Sequence, residues 1–388
     1  MNKSIMRWAV ALVCALALIS EHAITPAHAT SHNFPSSLVA TGDFDGDTYL
    51  DIVVADPMTN ECSILLNNGS EVFSVRDPIA LTVGKRPSDV VAADFDLDGY
   101  MDLAVACEGS GAVYIFLNSS TSPGTFTSST ITVPAPSCLA AGRLSLDPDP
   151  DLAVGSAANN SVSILVNQGN GTFVAHPPIT SAGGADGIIV AVDIGDLDND
   201  KDLEELVTIA NISGASPVQG RVISRFLDTD VDPEDPVIVN AAYTTALPAS
   251  YTPVDGLLHQ LDNDANGLDD LAIAATTTNA VLYLKNLGPD PYNDQWLGFA
   301  SAETYGPISA APTAIAAGLL PPPDGYADLA VVLPSVSEIV ILTNNGTPSP
   351  QFTLGSPTAS PAGGHLCVSD LAGDDDPDIV LPGGFISY

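Results

Sequence analysis

The sequence predicts an all-β fold, a seven-bladed β-propeller built from four-stranded antiparallel blades. Two observations indicate this fold. An acidic loop followed by a short apolar run returns along the chain, and its closing acids are 49 (Asp102 to Asp151) to 66 (Glu204 to Asp270) residues apart. The composition is typical of strands joined by tight turns, with 32 Gly and 31 Pro among 388 residues and many Val, Ile and Thr runs. A repeat of this length is in the range of propeller blades.

The acidic loop is clearest in the first repeat, where residues 43–51 read DFDGDTYLD and precede the apolar run IVVA. The second repeat has DFDLDGYMD at 94–102, and the fifth has DNDANGLDD at 262–270. Oxygens from alternate positions of such a loop converge on one point, which suits a hard cation such as calcium. Seven loops share the frame, and their ninth positions are Asp51, Asp102, Asp151, Glu204 or Glu205, Asp270, Asp328 and Asp378.

Each repeat supplies four strands in a fixed order. In the first repeat, residues 37–40 precede the loop, 51–55 follow it, and 63–66 form a third strand. A turn rich in Asn and Gly at 67–69 tolerates positive φ angles, and Phe73 then opens a fourth strand. One blade cannot bury both of its faces, so stacking against neighbours completes the core. A two-layer β-sandwich is the alternative, but it gives no reason for so regular a period.

The seventh repeat is short. After residues 378–381 only the segment PGGFISY remains. Either the last blade is incomplete, or the ring closes by an exchange between the two ends of the chain. The sequence leaves both possibilities open.

The N-terminal segment predicts a secretory signal peptide at residues 1–29. Lys3 and Arg7 precede an apolar stretch at 8–19 that is too short to span a bilayer, and the segment ends in AHA. An uncleaved membrane anchor is the alternative. We therefore expect one propeller domain at 30–388 that is secreted to an extracellular or periplasmic compartment, without insertion into a membrane.

The charge of the chain narrows the class of partner. With 47 acidic and 10 basic residues the formal net charge is −37, which repels nucleic acids and anionic membrane surfaces.

Four cysteines follow the predicted leader, and their wide spacing fits no zinc pattern. Disulfide bonds and separately buried thiols both remain open, and the cysteines in question are Cys62, Cys107, Cys138 and Cys367.

The repeat resembles the FG-GAP/VCBS family. The residues that carry this resemblance are the string DxDxDGxxDLxVA, the apolar strand after it, and the turn NNGxxxF, and together they extend over residues 36–388. The resemblance implies a seven-bladed propeller like the N-terminal head of integrin α chains, and it implies calcium in the loops. It says little about activity, because this fold hosts lectins, adhesion heads and polysaccharide lyases alike.

We expect calcium in repeats one, two, four and five, with repeat seven as a weaker fifth site because Ala372 occupies position 3. The seventh position of a loop contributes a backbone carbonyl, as in an EF-hand. The predicted ligands are Asp43, Asp45, Asp47, Tyr49 and Asp51; Asp94, Asp96, Asp98, Tyr100 and Asp102; Asp196, Asp198, Asp200 and Glu204; Asp262, Asp264, Asn266, Leu268 and Asp270; and Asp370, Asp374 and Asp378.

Repeats three and six lack acids at positions 1 and 3. In repeat three these positions hold Arg143 and Ser145. We hypothesise that the Arg143 guanidinium takes the place of the cation against Asp147 and Asp151.

The sequence contains no nucleophile elbow, phosphate loop or dinucleotide fingerprint, and the histidines are scattered. The regular spacing of the carboxylates is explained better by metal binding than by glycoside hydrolysis. We therefore predict no catalytic residues and an adhesion or binding module, acting as a monomer, for an extracellular protein or glycan. The alternative is an extracellular polysaccharide-degrading lyase or hydrolase on the same scaffold.

The predicted topology also distinguishes the two faces of the ring. If the loops between first and second strands hold metal on one face, the loops between second and third strands open on the other. In the integrin heads that this sequence resembles, the metal-free face carries ligand contacts. No individual ligand-contact residue of those heads has a match here, so only the face is carried over.

Overall fold

The computed structural model describes residues 38–67, 74–75, 79–80, 85–145, 147–180, 187–199, 204–212, 219–228, 237–262, 267–292, 295–320, 324–347, 352–360, 364–371, 377–382 and 384–386. The predicted signal peptide at 1–29 lies outside these residues. No helix among them is long and apolar enough to cross a membrane. The helical element in this part of the chain is a single 3₁₀ turn, Glu108–Ser110.

The strands form seven antiparallel sheets, which we number in chain order. The first three sheets have the following strands. Sheet 1 contains β1 (Leu38–Gly42), β2 (Asp51–Asp56), β3 (Glu61–Leu66), β4 (Ser74–Val75) and β5 (Ile79–Ala80); sheet 2 contains β6 (Pro87–Ala93), β7 (Asp102–Cys107), β8 (Ala112–Asn118) and β9 (Phe126–Thr132); sheet 3 contains β10 (Cys138–Gly142), β11 (Asp151–Ser156), β12 (Ser161–Asn167), β13 (Phe173–Ala175) and β14 (Ile179–Thr180).

The remaining four sheets follow the same order. Sheet 4 contains β15 (Gly187–Gly195), β16 (Glu205–Ile212), β17 (Gln219–Asp228) and β18 (Val237–Ala246); sheet 5 contains β19 (Pro253–His259), β20 (Asp270–Ala275), β21 (Ala280–Leu284) and β22 (Glu303–Tyr305); sheet 6 contains β23 (Ala314–Gly318), β24 (Asp328–Leu333), β25 (Glu338–Asn344), β26 (Phe352–Leu354) and β27 (Thr358–Ala359); sheet 7 contains β28 (Cys367–Ser369), β29 (Asp378–Leu381) and β30 (Gly384–Ile386).

These sheets confirm an all-β propeller of four-stranded antiparallel blades, of which the described residues show six. In sheets 1, 3 and 6 the outer strand is divided into two short pieces that pair with the same third strand. The prediction of a seventh four-stranded blade is wrong for the described residues, because sheet 7 has three strands there. Its outermost strand, β30, pairs with β29 and has no described partner on its other side.

The innermost strands of the sheets contact one another in cyclic order. Each of β1, β6, β10, β15, β19 and β23 contacts the next, and β28 then contacts β1. The last contact joins the two ends of the described chain: Thr41 Oγ1 donates to Ser369 Oγ at 3.2 Å, and Asn67 Nδ2 donates to the carbonyl of Leu371. The sheets therefore surround a common centre.

The core lies between the sheets. The second strands are buried along their whole length, as in β2 and β7, or over their first six residues in β16, because a neighbouring sheet covers each face. Phe44, Val53 and Ile64 of sheet 1 pack in one cluster with Leu103 and Phe116 of sheet 2. This packing explains why the runs after the acidic loops are apolar at every position instead of alternating.

Carboxylates on the innermost strands also join neighbouring sheets. Asp89 on β6 accepts a hydrogen bond of 2.7 Å from the N–H of Leu139 on β10. Equivalent bonds come from the next sheets: Asp193 accepts the N–H of Leu258 at 2.7 Å, and Asp255 accepts the N–H of Ile315 at 3.1 Å. Each carboxylate also accepts the N–H of the residue that follows it. These side chains hold the innermost strands in register around the centre.

The four cysteines of the domain are all free thiols in the structure. Cys62, Cys107 and Cys138 are buried, and burial raises the pKa of each thiol. Of the two possibilities left open by the sequence, the structure therefore shows the separate thiols.

Candidate metal centres

The acidic loops connect the first and second strands of each sheet, and we number them with their sheets. Loop 1 (43–50) brings Asp43 and Asp45 together with Asp51, the first residue of β2. One carboxylate oxygen from each lies within 4.8 Å of the other two. Asp51 is fully buried, whereas Asp43 and Asp45 are half-buried. This group can hold a metal ion.

Backbone hydrogen bonds fix the carboxylates of loop 1. The two oxygens of Asp43 accept the N–H groups of Gly46 at 2.7 Å and Thr48 at 2.9 Å. Both donors have positive φ angles, 80° and 78°, which turns the chain back around the Asp43 side chain. Asp51 accepts the N–H of Phe44 at 2.8 Å and that of Asn67 at 2.8 Å. The loop is therefore preorganised around its acids.

Loop 2 (94–101) repeats this arrangement. Asp94, Asp96 and Asp102 form a second group with carboxylate oxygens within 4.8 Å. Asp102 is buried and accepts the N–H groups of Phe95 at 2.8 Å and Asn118 at 2.7 Å. The same sequence frame thus gives the same geometry twice.

The fifth and seventh positions of loops 1 and 2 lie outside these groups. Asp47 and Asp98 each accept the N–H of the residue two positions later, which is Tyr49 at 2.9 Å or Tyr100 at 3.1 Å. Asp98 also accepts the N–H of Ser120 at 3.2 Å. Their predicted role as ligands, with the carbonyls of Tyr49 and Tyr100, stays a prediction.

Loop 4 (196–204) forms the third group, and it changes the predicted ligand. Asp196 and Asp198 lie with Glu205, and not with Glu204, within 4.8 Å. Glu205 is buried and accepts the N–H of Leu197 at 2.8 Å, as Asp51 does from Phe44. Of the two ninth-position residues that the sequence left open, the structure therefore brings Glu205 and not Glu204 into the group, and the ligand assignment itself stays a prediction. Asp200 lies outside the described residues.

Glu204 instead joins sheets 3 and 4. Its Oε2 accepts the N–H of Arg143 at 2.7 Å, and its own N–H donates to the carbonyl of Arg143 at 3.0 Å. The sequence favours the Glu205 alternative as well, because Glu205 directly precedes the apolar run LVTIA, as Asp51 directly precedes IVVA. Loop 4 is one residue longer than loops 1 and 2. The ninth residue counted from Asp196 is therefore Glu204, whereas the second strand begins at Glu205.

Loop 5 (260–269) has a different frame from the one predicted. β19 ends at His259, which pairs with Asp270, so Gln260 takes position 1 and Asp262 takes position 3 when positions are counted from the end of the first strand. The N–H that donates to Asp270 is that of Asp262, at 3.0 Å, whereas in loops 1, 2 and 4 it is that of the residue at position 2. Leu261 takes position 2 and is 2 % exposed, matching the fully buried Phe44 and Leu197. Asp262 forms an ion pair with Lys285, which the sequence analysis did not consider.

The described residues include two of the other four predicted ligands of loop 5, Leu268 and Asp270. Leu268 is buried, and Asp270 accepts the N–H of Asn286 at 2.7 Å. Asp264 and Asn266 lie outside the described residues. The described residues thus include the ninth-position carboxylate, the ion-paired carboxylate of Asp262, a neutral first position, and Asp269, whose carboxylate accepts the N–H of Asp196 in sheet 4 at 3.2 Å.

The remaining loops lack a described group of three acids. In loop 7, Asp370 is described and Asp378 accepts the N–H of Leu371 at 2.9 Å, while Asp374 lies outside the described residues. In loop 3, the Nε of Arg143 donates to the carbonyl of Asp147 at 3.4 Å, and the Ser145 hydroxyl donates to the Asp147 carboxylate at 3.0 Å. The guanidinium of Arg143 thus contacts a carbonyl oxygen of the loop, whereas the hypothesis named the carboxylates of Asp147 and Asp151.

Burial controls the acidity of the ninth-position carboxylates. Desolvation raises the pKa of Asp51 and of Asp102 to about 7, although the N–H groups of Asn67 and Asn118 act in the opposite direction. The neighbouring loop carboxylates raise both values further. A cation among the three acids would favour their ionised forms, because opposite charge lowers the pKa of a carboxyl group.

An asparagine at the end of the third strand completes each of five loops. It lies 16 residues after the ninth-position acid, donates its N–H to that acid, and donates its side-chain amide to a carbonyl of the preceding sheet. These asparagines are Asn67, Asn118, Asn167, Asn286 and Asn344. The sequence analysis assigned the Asn residues to turns, although their constant distance from the acids was visible in the sequence.

Comparison with known proteins gives the following matches. The FG-GAP-like repeat family matches residues 43–105 and 143–207, which contain loops 1 to 4. No curated protein matches the chain. A chain of the crystal structure of BBS1N in complex with ARL6DN, soaked with lead, is 15% identical, with 92% of each chain covered and a TM-score of 0.57. A protein from Lactobacillus plantarum is 10% identical over 90% of this chain and 94% of that one, with a TM-score of 0.51. At these identities the structures support the fold alone.

Proposed function

We propose, on the premise that the chain carries FG-GAP-like repeats on a β-propeller, that this protein is a secreted, calcium-stabilised binding module. The observation that carries the proposal is the recurrence of three carboxylates within 4.8 Å in loops 1, 2 and 4. A single group of this kind is explained equally well by a solvated acidic turn. The same group in three loops of one ring favours a shared role in metal binding.

Calcium fits the donor set better than other common metals. The three groups consist of Asp and Glu carboxylates, and hard oxygen donors select calcium, magnesium or manganese over zinc and copper. Calcium accepts irregular sets of six to eight oxygens, whereas magnesium needs a near-ideal octahedron and keeps several waters. The loops offer further oxygens at Asp47 and Asp98 and at backbone carbonyls, so a large and flexible coordination shell suits them.

The metal would act mainly on stability. Each loop joins the first and second strands of its blade, and each blade depends on its neighbours for its core. Three acids held together repel one another unless a cation lies among them. A metal that binds only the folded ring stabilises it by about 2.7 kcal/mol per site at a hundredfold excess over its dissociation constant.

The face opposite the metal loops is the one we propose for ligand binding. Its turns connect second and third strands, and those of sheets 1, 2, 3, 5 and 6 have four residues each, at 57–60, 108–111, 157–160, 276–279 and 334–337. Two large apolar side chains lie exposed on these turns: Met58 is 75% exposed and Val336 is 45% exposed. We propose an extracellular protein or a glycan as the ligand, and the net charge of −37 favours a neutral or basic one.

Two further parts of the proposal concern the ends of the chain. We propose that residues 1–29 are a signal peptide that directs the domain out of the cytoplasm. We also propose that sheet 7 is the seventh blade of the ring. The packing of Leu371 and Val380 against Val39, Val54 and Leu65 of sheet 1 supports this second point.

Calorimetric titration and thermal melting of the mature protein test the metal part. We expect calcium to bind and to raise the melting temperature, and chelator to lower it again. An unchanged melting temperature in excess chelator would exclude a stabilising metal.

A glycan array and a panel of immobilised extracellular proteins, each probed with and without calcium, test the ligand part. We expect a double variant Met58→Ser/Val336→Ser to keep calcium binding and lose the ligand signal. Release of new reducing ends from polysaccharides would instead favour the enzyme alternative.

A further inference from the structure

We propose that Lys285 is the resident cation of loop 5, with its ammonium group in the role that a metal ion has in loops 1, 2 and 4. Sheet 5 would then be stabilised without calcium. This inference rests on the proposed function, because it divides the loops of one ring into metal-dependent and metal-independent ones.

The position of Lys285 in its repeat supports this role. Lys285 directly precedes Asn286, the asparagine that donates its N–H to Asp270 at 2.7 Å. In the other repeats the residue before the equivalent asparagine carries no charge. These residues are Leu66, Leu117, Val166 and Thr343. Among the five repeats that have this asparagine, only repeat five therefore has a positive charge at the preceding position.

The ammonium group contacts a carboxylate at a predicted metal-ligand position. Lys285 Nζ pairs with Asp262 Oδ2, and the side chain of Asp262 is 3% exposed while that of Lys285 is 27% exposed. Asp262 has the third position of its loop, as Asp45 and Asp96 have in loops 1 and 2. A carboxylate with so little exposure needs a partner of opposite charge or several donors.

A second side chain of the same strand serves the other acid of loop 5. The hydroxyl of Tyr283 donates to Asp270 Oδ2 at 3.0 Å. Tyr283 pairs with Ala272. In sheets 1, 2, 3 and 6 the residues at the same register are apolar, and they are Ile64, Ile115, Ile164 and Ile341. Sheet 4 has Ser224 at this register. β21 and the residue after it thus supply two donors, whereas sheets 1, 2 and 3 have apolar side chains at both positions.

The first position of loop 5 has lost its charge as well. Gln260 replaces the acid found in Asp43, Asp94 and Asp196, and its Nε2 donates to the carbonyl of Gly267 at 2.7 Å. Positions 3 and 9 therefore carry carboxylates and position 1 is neutral, with the ammonium group of Lys285 against position 3, whereas loops 1 and 2 carry three carboxylates. The ammonium group reduces the repulsion between Asp262 and Asp270 that would favour an external cation.

Hydrogen–deuterium exchange of the mature protein tests the inference loop by loop. In the wild type, we expect calcium to slow exchange in peptides covering loops 1, 2 and 4 and to leave the peptides covering β20 and β21 unchanged. Slower exchange of β20 and β21 with calcium would overturn the inference. If calcium slows exchange in none of the loops, the result would instead overturn the proposed function.

A set of charge variants then tests Lys285 itself. In chelator, Lys285→Met should lower the melting temperature by about 5 °C, because it leaves a buried carboxylate without its cation. The double variant Lys285→Met/Asp262→Asn should recover most of this loss. Leu66→Met is the matched control for the change of shape at the same position in sheet 1.

Two outcomes of the variant experiment would contradict the proposal. One is an unchanged melting temperature for Lys285→Met in chelator. The other is a double variant that is no more stable than Lys285→Met, since the loss would then reflect packing of the lysine stem and not its charge. Exchange in β20 and β21 of Lys285→Met supplies an independent measurement, and we expect it to be faster than in wild type.

Discussion

The side-chain amide of Asn118 donates to the carbonyl of Phe44 in the preceding sheet at 2.8 Å, while its backbone N–H donates to Asp102 at 2.7 Å. One residue thus connects the acid of its own loop to the loop of the neighbouring blade. Asn118 is 3% exposed, so the carbonyl of Phe44 has no access to water as a replacement donor at this point.

Substitution of this asparagine should therefore be costly. We expect Asn118→Ala to reduce the free energy of unfolding by about 2 kcal/mol, because a buried acceptor loses its donor. Chemical denaturation in the presence of calcium measures the change. Asn170→Ala, at an exposed turn in sheet 3, is the control and should remain near the wild-type value. Equal losses for the two variants would show that the contact with the neighbouring blade contributes nothing.

The carboxylates at position 3 of loops 1 and 2 should control the response to calcium. At a calcium concentration a hundredfold above the dissociation constant, we expect Asp45→Asn and Asp96→Asn each to remove up to about 2.7 kcal/mol of calcium-dependent stabilisation, since each variant disables one site. The difference between melts in calcium and in chelator reports this quantity. Asp324→Asn, an exposed acid of the loop in sheet 6, should leave the difference unchanged.

Loop 4 allows a test between two adjacent acids. We expect Glu205→Gln to remove one bound calcium per molecule, because Glu205 belongs to the carboxylate group with Asp196 and Asp198. Glu204→Gln should keep the full metal content, since the Glu204 carboxylate accepts the N–H of Arg143. Elemental analysis of dialysed protein counts the ions. A loss of metal in Glu204→Gln alone would reverse the assignment.

Stability should depend on pH through the carboxylates at the centre of the ring. Burial raises the pKa of Asp89 and Asp255 to about 7 and that of Asp193 to about 6. In the unfolded chain an aspartate titrates near 3.9. Between these values the folded state binds more protons than the unfolded state, so stability falls as pH rises from about 4 to about 7.

Melting in chelator at a series of pH values measures this dependence. We expect a higher melting temperature at pH 5 than at pH 8, with a smaller difference in Asp89→Asn and Asp255→Asn. Glu303→Gln, at an exposed acid, is the matched control and should keep the wild-type slope. A melting temperature that rises towards pH 8 would contradict the sign of the shifts.

The sequence predicted the fold well because propeller geometry is repeated locally. The acid, the apolar run and the Asn-containing turn of each repeat mark the same strands in each sheet, and all seven ninth positions fall at or beside the start of a second strand. Loops 1 and 2 have no insertions, and their carboxylates lie together as the spacing led us to expect, while metal binding itself stays a prediction. Counting residues was less informative in the longer loops, where it left Glu204 and Glu205 as alternatives and gave Asp262 the first position.

The remaining errors came from contacts that one repeat cannot reveal. The buried residue at position 2, such as Leu261, fixes the frame of a loop better than its acids do, because it must enter the core. Lys285 and Tyr283 lie outside the loop motif and reach it only after β21 pairs with β20. Their importance follows from comparing the same register across sheets, which requires the strand pairing.

The junction between sheets 7 and 1 gives the ring an order of assembly. Other neighbouring sheets follow one another along the chain, but Asn67 meets the carbonyl of Leu371 across 304 positions. Closing so long a segment has a high entropic cost and rewards the chain only when all intervening blades are in place. Sheets 7 and 1 should therefore meet last during folding and separate first under mechanical load. The stability of this junction then determines how long the ring stays closed.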